Sequence, residues 1–428
     1  MFAPLKRMLQ EVITEGRLTV RDHQNRIYDF GDGSGEPVAI HFTDLRTQWQ
    51  FVRDPELTAG EAYMDGRLIL DRGSVYDFIE LAMRNMAKHP LPAWAQTFAK
   101  LRRMKRRVSE NNPQERAASN ASYHYDLDQR FYDLFLDTDR QYSCAYYAPG
   151  ITRLEDAQAA KKRHIAAKLQ LEPGLDILDI GCGWGGLARY LAAAGNARVR
   201  GITLSTSQLR AAIEHVPPQR GETVFAFDDY RTVTGQFDRI VSVGMFEHVG
   251  SANYKTFFES VGRLLKDDGV ALIHAIGRLD GPGPTNPFIA KWIFPGGSLA
   301  SLSEVTSAIE NTGLLISDIE ILRLHYAYTL RAWRERFLQH RARAVELAGE
   351  AMTRMWEFYL AGCEAAFRHQ FLMVFQVQLV KNISAVPITR DYMIEAERRL
   401  AATQPVILRP VPELPLQPAK HGGQSGSG

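Results

Sequence analysis

The chain has 428 residues, 45% hydrophobic and 23% charged, with a formal net charge of +2. That length suits two to three domains with substantial cores, and the composition is that of a soluble globular protein rather than a fibrous or low-complexity one. Three cysteines without a CxxC pair point to a reducing compartment and away from a zinc site.

Residues 1–95 read as a small α+β domain, expected to associate with lipid or membrane. Met8, Leu9, Val12 and Ile13 fit a short amphipathic helix. Leu18–Arg21 and Val38–Phe42 alternate like strands, Gly31–Gly35 forms the turn between strands, and Val75–Met86 reads as helix. Residues 96–122 follow as a basic helix and linker. From Lys100 to Arg107, six of eight residues are Lys or Arg, while Phe98, Leu101, Met104 and Val108 recur at helical spacing. Such a helix suits an anionic membrane surface, and equally a solvated helix docked between domains.

Residues 123–395 are expected to form one α/β domain. Strands at 175–180, 198–203, 223–227, 237–243 and 270–276 alternate with helices at 184–194, 205–215 and 252–265. This alternation predicts a doubly wound, mostly parallel sheet with helices on both faces. Ligands in such sheets bind beyond the strand C-termini, so Gly181, Thr203, Asp229, Glu247 and His274 should meet at one edge. A proline- and glycine-rich loop after Ile276 suggests an ordered lid. A helical insertion at about 323–370 separates strands 315–322 and 371–381, and an insertion of that size is expected to shape a substrate pocket. Residues 396–428 read as an extended Pro-rich and Gly/Ser tail. The start of the chain lacks a signal-peptide layout, and no apolar run is long enough to span a bilayer. We expect a cytoplasmic protein that touches the inner face of a membrane peripherally. A homodimer remains open.

The most specific local signal is Asp176-Ile-Leu-Asp-Ile-Gly-Cys-Gly-Trp-Gly-Gly186. A buried strand breaks into a glycine turn and opens a helix, which brings the backbone close to a nucleotide-type ligand. The spacing alone also fits a dinucleotide site. Two details argue for S-adenosylmethionine instead. Asp179 sits where it can hold the cationic amino-acid part of that donor. The next strand ends in Thr203-Leu204-Ser205, with no acid at the usual ribose position. Tyr230 can stack on adenine while Asp229 accepts its exocyclic amine.

Four segments then resemble one family in sequence order: Tyr142-Ser-Cys-Ala-Tyr-Tyr147, Leu178-Asp-Ile-Gly-Cys-Gly-Trp-Gly185, Gly244-Met-Phe-Glu-His-Val-Gly250 and Ile293-Phe-Pro-Gly-Gly-Ser-Leu299. Residues of about 120–385 look like the cyclopropane-fatty-acyl-phospholipid synthases, whose relatives include the mycolic acid methyltransferases. The N-terminal region is similar, with less specific motifs, to the extra domain of the phospholipid enzymes. The resemblance implies a class I methyltransferase fold. It also implies that Tyr142, Ser143, the Gly181-Cys182-Gly183 turn, Thr203, Ser205, Gln208, Asp229 and Tyr230 hold S-adenosylmethionine. Cys144, Glu247, His274, the backbone of Ile276 and Tyr326 match the family's pocket for bicarbonate. Cys363 matches a cysteine regarded as belonging to the active site, and methyl transfer to an alkene needs no thiolate, so we place it on the acyl-chain wall. One departure is local: Tyr125-Asp126-Leu127 is followed by Asp128-Gln129, where the family often has glycine or serine and then asparagine.

The implied reaction is cyclopropanation of cis double bonds in phospholipid acyl chains. Phe294, Trp333, Phe337, Trp356, Phe358, Tyr359 and Phe367 can line a tunnel for such a chain, or serve as ordinary core. The same site can instead yield methyl- or methylene-branched lipids. A nucleic-acid or other non-lipid methyltransferase is a further class, disfavoured because the Gly-Met-Phe-Glu-His run supplies no base-reading set. A lipid-binding module without turnover is disfavoured by the complete cofactor site.

Overall fold

The computed structural model describes residues 1–88, 128–214 and 220–403. The Lys/Arg-rich segment 98–108, the linker 109–121, Tyr125–Leu127 and the Pro- and Gly/Ser-rich tail from 404 lie outside the described residues.

The first unit is built on strands β1 (Arg17–Arg21), β2 (Ile27–Phe30), β3 (Pro37–Phe42) and β4 (Leu68–Arg72), in the order β2-β1-β3-β4. Alternation turns Leu18, Val20, Val38, Ile40 and Phe42 inward. Helices α1 (Ala3–Val12), α2 (Leu45–Arg53), α3 (Pro55–Met64) and α4 (Val75–Lys88) cover that core. The alternation in the sequence shows β1 and β3 but not the short β2 and β4. Helices α2 and α3 are also absent from the sequence reading; each starts on an aspartate cap, Asp44 accepting from Thr47 N and Asp54 from Leu57 N.

The larger unit begins with the single turn α5 (Gln129–Tyr132) and helix α6 (Leu154–Lys168), followed by β5 (Asp176–Ile180), α7 (Gly186–Gly195), β6 (Arg198–Thr203), α8 (Thr206–Ile213), β7 (Glu222–Phe227) and β8 (Phe237–Val243). Then come α9 (Tyr254–Leu264), β9 (Leu265–Arg278), the short β10 (Ala300–Ser301), α10 (Leu302–Ile309) and β11 (Leu315–Ile321). Helices α11 (His325–Gln339) and α12 (Arg341–His369) precede β12 (Leu372–Val380), and α13 (Asp391–Ala402) ends the described chain. The sheet runs β11-β12-β9-β8-β5-β6-β7, with β10 beside β9. Strands β5 to β9 pair in parallel, and β12 is antiparallel to both β9 and β11. This is the doubly wound, mostly parallel sheet that the alternation predicts.

One expectation is corrected. Residues 396–402, read as the head of an extended tail, continue α13, because Met393 and Leu400 give that helix a buried face against α6. Helix α12 is broken at Gly349 (φ 82°, ψ 165°), a conformation glycine adopts without a Cβ penalty.

The two units share a core: Ala361 and Ala365 of α12 are buried among the side chains of the first unit. Gly60 of α3 meets Phe288 so closely that an added Cβ would lie 2.2 Å from the Phe288 ring. Next to it, Glu61 Oε1 accepts from Lys291 Nζ at 2.5 Å and from Trp292 Nε1 at 3.1 Å. The first unit therefore braces the loop that follows β9. Among the described residues no helix is long and apolar enough to cross a membrane.

Candidate functional site

A cavity opens at the C-terminal edge of β5, β6 and β8, where a parallel sheet leaves room for a ligand. Its floor is the turn after β5. Gly181 (φ 82°) passes so close to Met245 that an added Cβ would lie 2.7 Å from that side chain. Gly183 (φ 55°) has the opposite surroundings: a Cβ there would find its nearest neighbour, Gln208 Nε2, only at 4.0 Å, so the missing side chain leaves cavity space. Cys182 lies between them and lines the same cavity, its thiol pushed well up by burial.

At one end, Asp179 is almost wholly buried and its Oδ2 has no hydrogen-bond partner among the described residues. Burial lifts its carboxyl to about 7. An unpaired buried carboxylate of this kind fits a cationic ligand group. Tyr142 and Ser143 form the adjoining wall. At the other end lie Tyr230 and Asp229. Tyr230 packs edge-on against Phe257 at 5.2 Å. Asp229 already accepts from Arg231: Oδ1 from the backbone N and Nε, Oδ2 from Nη2 at 2.6 Å. A carboxylate has about four acceptor positions, so one remains.

Thr203 and Gln208 line the cavity between these ends, Thr203 Oγ1 donating to Gln208 Oε1 at 3.0 Å. Ser205 is placed differently. It is fully buried, its Oγ caps α8 by accepting from Gln208 N at 3.2 Å, and it is not among the cavity-lining residues.

Beyond Tyr142 the polar wall passes into an aromatic interior. Tyr142 and Tyr359 share a hydroxyl–hydroxyl bond of 2.9 Å. Tyr326 on α11 lies within electrostatic reach of Tyr359, Cys144, Cys363 and Glu247, and burial pushes its phenol far up. Trp333, Phe337, Trp356 and Phe367 are buried in the same cluster, with Phe294 and Phe358 packed against it.

Glu247 stands on a short 3-10 turn, Phe246–His248. Its Oε1 accepts from Ile276 N at 2.7 Å, while its sealed Oε2 meets no partner among the described residues. Burial lifts this carboxyl to about 7. Cys144 is buried and donates to Ala145 O at 3.3 Å. Cys363 faces the cluster with a thiol that burial holds up at about 12.

His274 lies on β9, two residues before Ile276. Its Nδ1 faces Gln376 Nε2 at 3.1 Å, and burial holds its ring down at about 3. The charged groups around it include Lys161, Lys168, His164 and Glu320. The structure thus groups Cys144, Glu247, Ile276 N, Tyr326 and Cys363, with His274 on the adjoining side toward α6.

The sequence reading missed α6. Its face toward the site buries Gln158 and Lys161, a polar pair with no motif to flag it. Arg140, Gln141, Met245 and Arg231 also line the cavity without having been singled out.

A family profile described as mycolic acid cyclopropane synthetase matches residues 112–377. Relatives include the cyclopropane-fatty-acyl-phospholipid synthase of Escherichia coli K12, 38% identical over 78% of this chain and 85% of that protein. The tuberculostearic acid methyltransferase UfaA1 of Mycobacterium tuberculosis is 38% identical over 64% of this chain and 67% of its own. Among solved structures, mycolic acid cyclopropane synthase CmaA1 complexed with SAH and CTAB aligns with a TM-score of 0.59 at 33% identity, over 63% of this chain and 99% of that one. With its sheet, its glycine turn and 62% of its length inside the matched profile (266 of 428 residues), the chain belongs to the mycolic acid cyclopropane synthetase family of S-adenosylmethionine-dependent methyltransferases.

Proposed function

We propose that this chain converts cis double bonds in phospholipid acyl chains into cyclopropanes, with a bicarbonate ion as the base. The single observation that carries the reading is the free Oε2 of Glu247, sealed beside Tyr326 and Cys144 at the end of an aromatic interior.

The residues that line the cavity fit S-adenosylmethionine, whose sulfonium supplies an electrophilic methyl group. Asp179 takes its ammonium, Tyr142 and Ser143 its amino-acid end, Thr203 and Gln208 the ribose, and Tyr230 with Asp229 the adenine. The Gly181-Cys182-Gly183 turn lets the backbone come close. Ser205 supports this set indirectly by capping α8 beneath Gln208.

An isolated alkene is a weak nucleophile, so the aromatic wall must hold it in line with the methyl carbon. The alkene π pair forms the new C–C bond as the S–CH3 bond breaks, leaving a neutral thioether and a carbocation on the acyl chain. Loss of one proton from the new methyl group lets its C–H pair close the ring. Glu247 and Tyr326 would hold a bicarbonate ion, which would supply the base for that proton.

Glu247, near neutrality at about 7, can donate from a protonated Oε2 to that ion while Oε1 stays on Ile276 N. Tyr326 offers its hydroxyl, and Cys144, whose thiol proton goes to Ala145 O, lines the pocket. His274, held neutral, adds polarity without charge. An anion fixed beside the cation also stabilises it electrostatically. Substrate in a bilayer requires docking at a membrane surface, a role that the basic segment 100–107 suits, as it equally suits a solvated helix between domains.

The test is incubation with S-adenosylmethionine and unsaturated anionic phospholipid vesicles, with and without added bicarbonate. The expected product is one methylene heavier and has lost its double bond. Intact unsaturation in all products defeats the reading. The similarity to a tuberculostearic acid methyltransferase keeps a branched-chain product as the second outcome, separated by the NMR signature of ring protons.

A further inference from the structure

Lys161 takes no part in the scheme above, yet it is one of the most deeply buried charged residues of the chain, at 1% exposure. No ion pair involving it is present among the described residues. Its Nζ donates instead to Gln141 Oε1 at 2.6 Å and to Ser143 Oγ at 2.9 Å. One turn earlier on α6, Gln158 Nε2 donates to the carbonyls of the same two residues, at 3.1 and 3.0 Å. The helix therefore grips both ends of the wall Gln141-Tyr142-Ser143.

An ammonium has three donors and no acceptor, so Ser143 Oγ can only accept from Lys161. The hydroxyl proton of Ser143 must then point elsewhere, and Ser143 lines the cavity. A hydroxyl polarised by a cation is a stronger donor, suited to an anion. Two arginines also line the cavity, but Arg140 is held by Asp133 and Arg231 by Asp229. The amino-acid end of the methyl donor carries both an ammonium and a carboxylate. Asp179 answers only the first.

We propose that Lys161 is the positioning residue that recognises the donor's carboxylate, acting through the hydroxyl of Ser143. This rests on the donor placement given under the proposed function. Burial lowers the Lys161 ammonium to about 8, against the pull of Asp137 and Asp139, with Lys162 opposing and Cys144 assisting. Asp179 on β5 and His274 on β9 face the same ammonium. It is thus charged at neutral pH and loses its proton in mild alkali.

The test is calorimetric titration of the full chain with S-adenosylhomocysteine and, separately, with its decarboxylated analogue. In Lys161→Met, affinity for S-adenosylhomocysteine should fall roughly tenfold or more, as for loss of a charge-assisted bond, while the analogue binds within about twofold of wild type. Ser143→Ala should show the same split, and the double variant little further loss. In the wild type the preference for S-adenosylhomocysteine over the analogue should decline as pH rises past about 8, and this dependence should vanish in Lys161→Met. Equal weakening toward both ligands marks a merely structural lysine and overturns the assignment, as does unchanged affinity. If Lys161→Met does not fold, Ser143→Ala decides by the same split. Absence of cyclopropanated lipid with the split intact would strike the proposed function and leave this assignment standing.

Discussion

Glu247 Oε1 accepts the backbone N–H of Ile276 at 2.7 Å, so a carboxylate on a 3-10 turn is pinned to the last residues of strand β9. One oxygen is spent on position and the other is left for chemistry. Replacing Glu247 by Leu removes both the oxygen pinned to Ile276 N and the donor that would hold the ion. Turnover on lipid vesicles should fall about 100-fold or more, the usual scale for losing acid–base assistance. Calorimetry should find affinity for S-adenosylhomocysteine nearly unchanged. Equal turnover would remove the base-holding role.

Asp179 sets a pH dependence of stability. Its carboxyl ordinarily ionises at 3.8 and is held at about 7 in the folded chain. Below pH 3.8 both states carry the proton, so it contributes no difference. Between 3.8 and about 7 the unfolded chain loses the proton first, so folded stability declines as pH rises through that window. Above it the penalty is complete, of the order of 4 kcal/mol. Asp179→Asn should therefore melt higher than wild type at pH 8, with little difference at pH 4, while binding S-adenosylmethionine poorly. Thermal melts across that range check it.

Cys363 should prove dispensable as a thiol. Burial holds it at about 12, so it is uncharged at neutral pH. Cys363→Ala should retain turnover within about a few-fold, as for loss of a small buried group. Cys363→Trp should block long-chain substrates while leaving the affinity for S-adenosylhomocysteine intact. Product analysis with acyl chains of different length distinguishes the two.

Gly60→Val tests the brace between the units. The new Cβ would lie 2.2 Å from Phe288, and overpacking of this kind costs about 1–3 kcal/mol. Limited proteolysis should find the loop 279–297 cut faster, and turnover should drop. Affinity for S-adenosylhomocysteine should hold, because Phe288 does not line that cavity.

The donor cavity was legible because its parts are local. A buried strand, a glycine turn and a helix start lie within Asp176–Gly186, and backbone geometry there allows few residue types. The parallel strands were legible from their apolar runs. Helix α6 was not, since Gln158, Lys161 and Lys168 are polar yet buried only because the sheet and the 141–143 segment fold over them. Helix α13 was missed for the opposite reason: few apolar positions mark it, and proline follows soon after. The placement of His274 toward α6 depends on the side of β9 it occupies, which alternation gives only once register is known.

The Glu61 contacts with Lys291 and Trp292 change how deletions should be designed. Shorter relatives such as CmaA1 align over nearly their whole length with 63% of this chain, so trimming to the common core is a tempting experiment. Here that trim would also strip the loop of two contacts with the amino-terminal side, the Glu61 pair and the Gly60 seat. A silent truncate would then report an untethered door as readily as a lost membrane foothold, and point substitutions at Glu61 are the cleaner way to part the two.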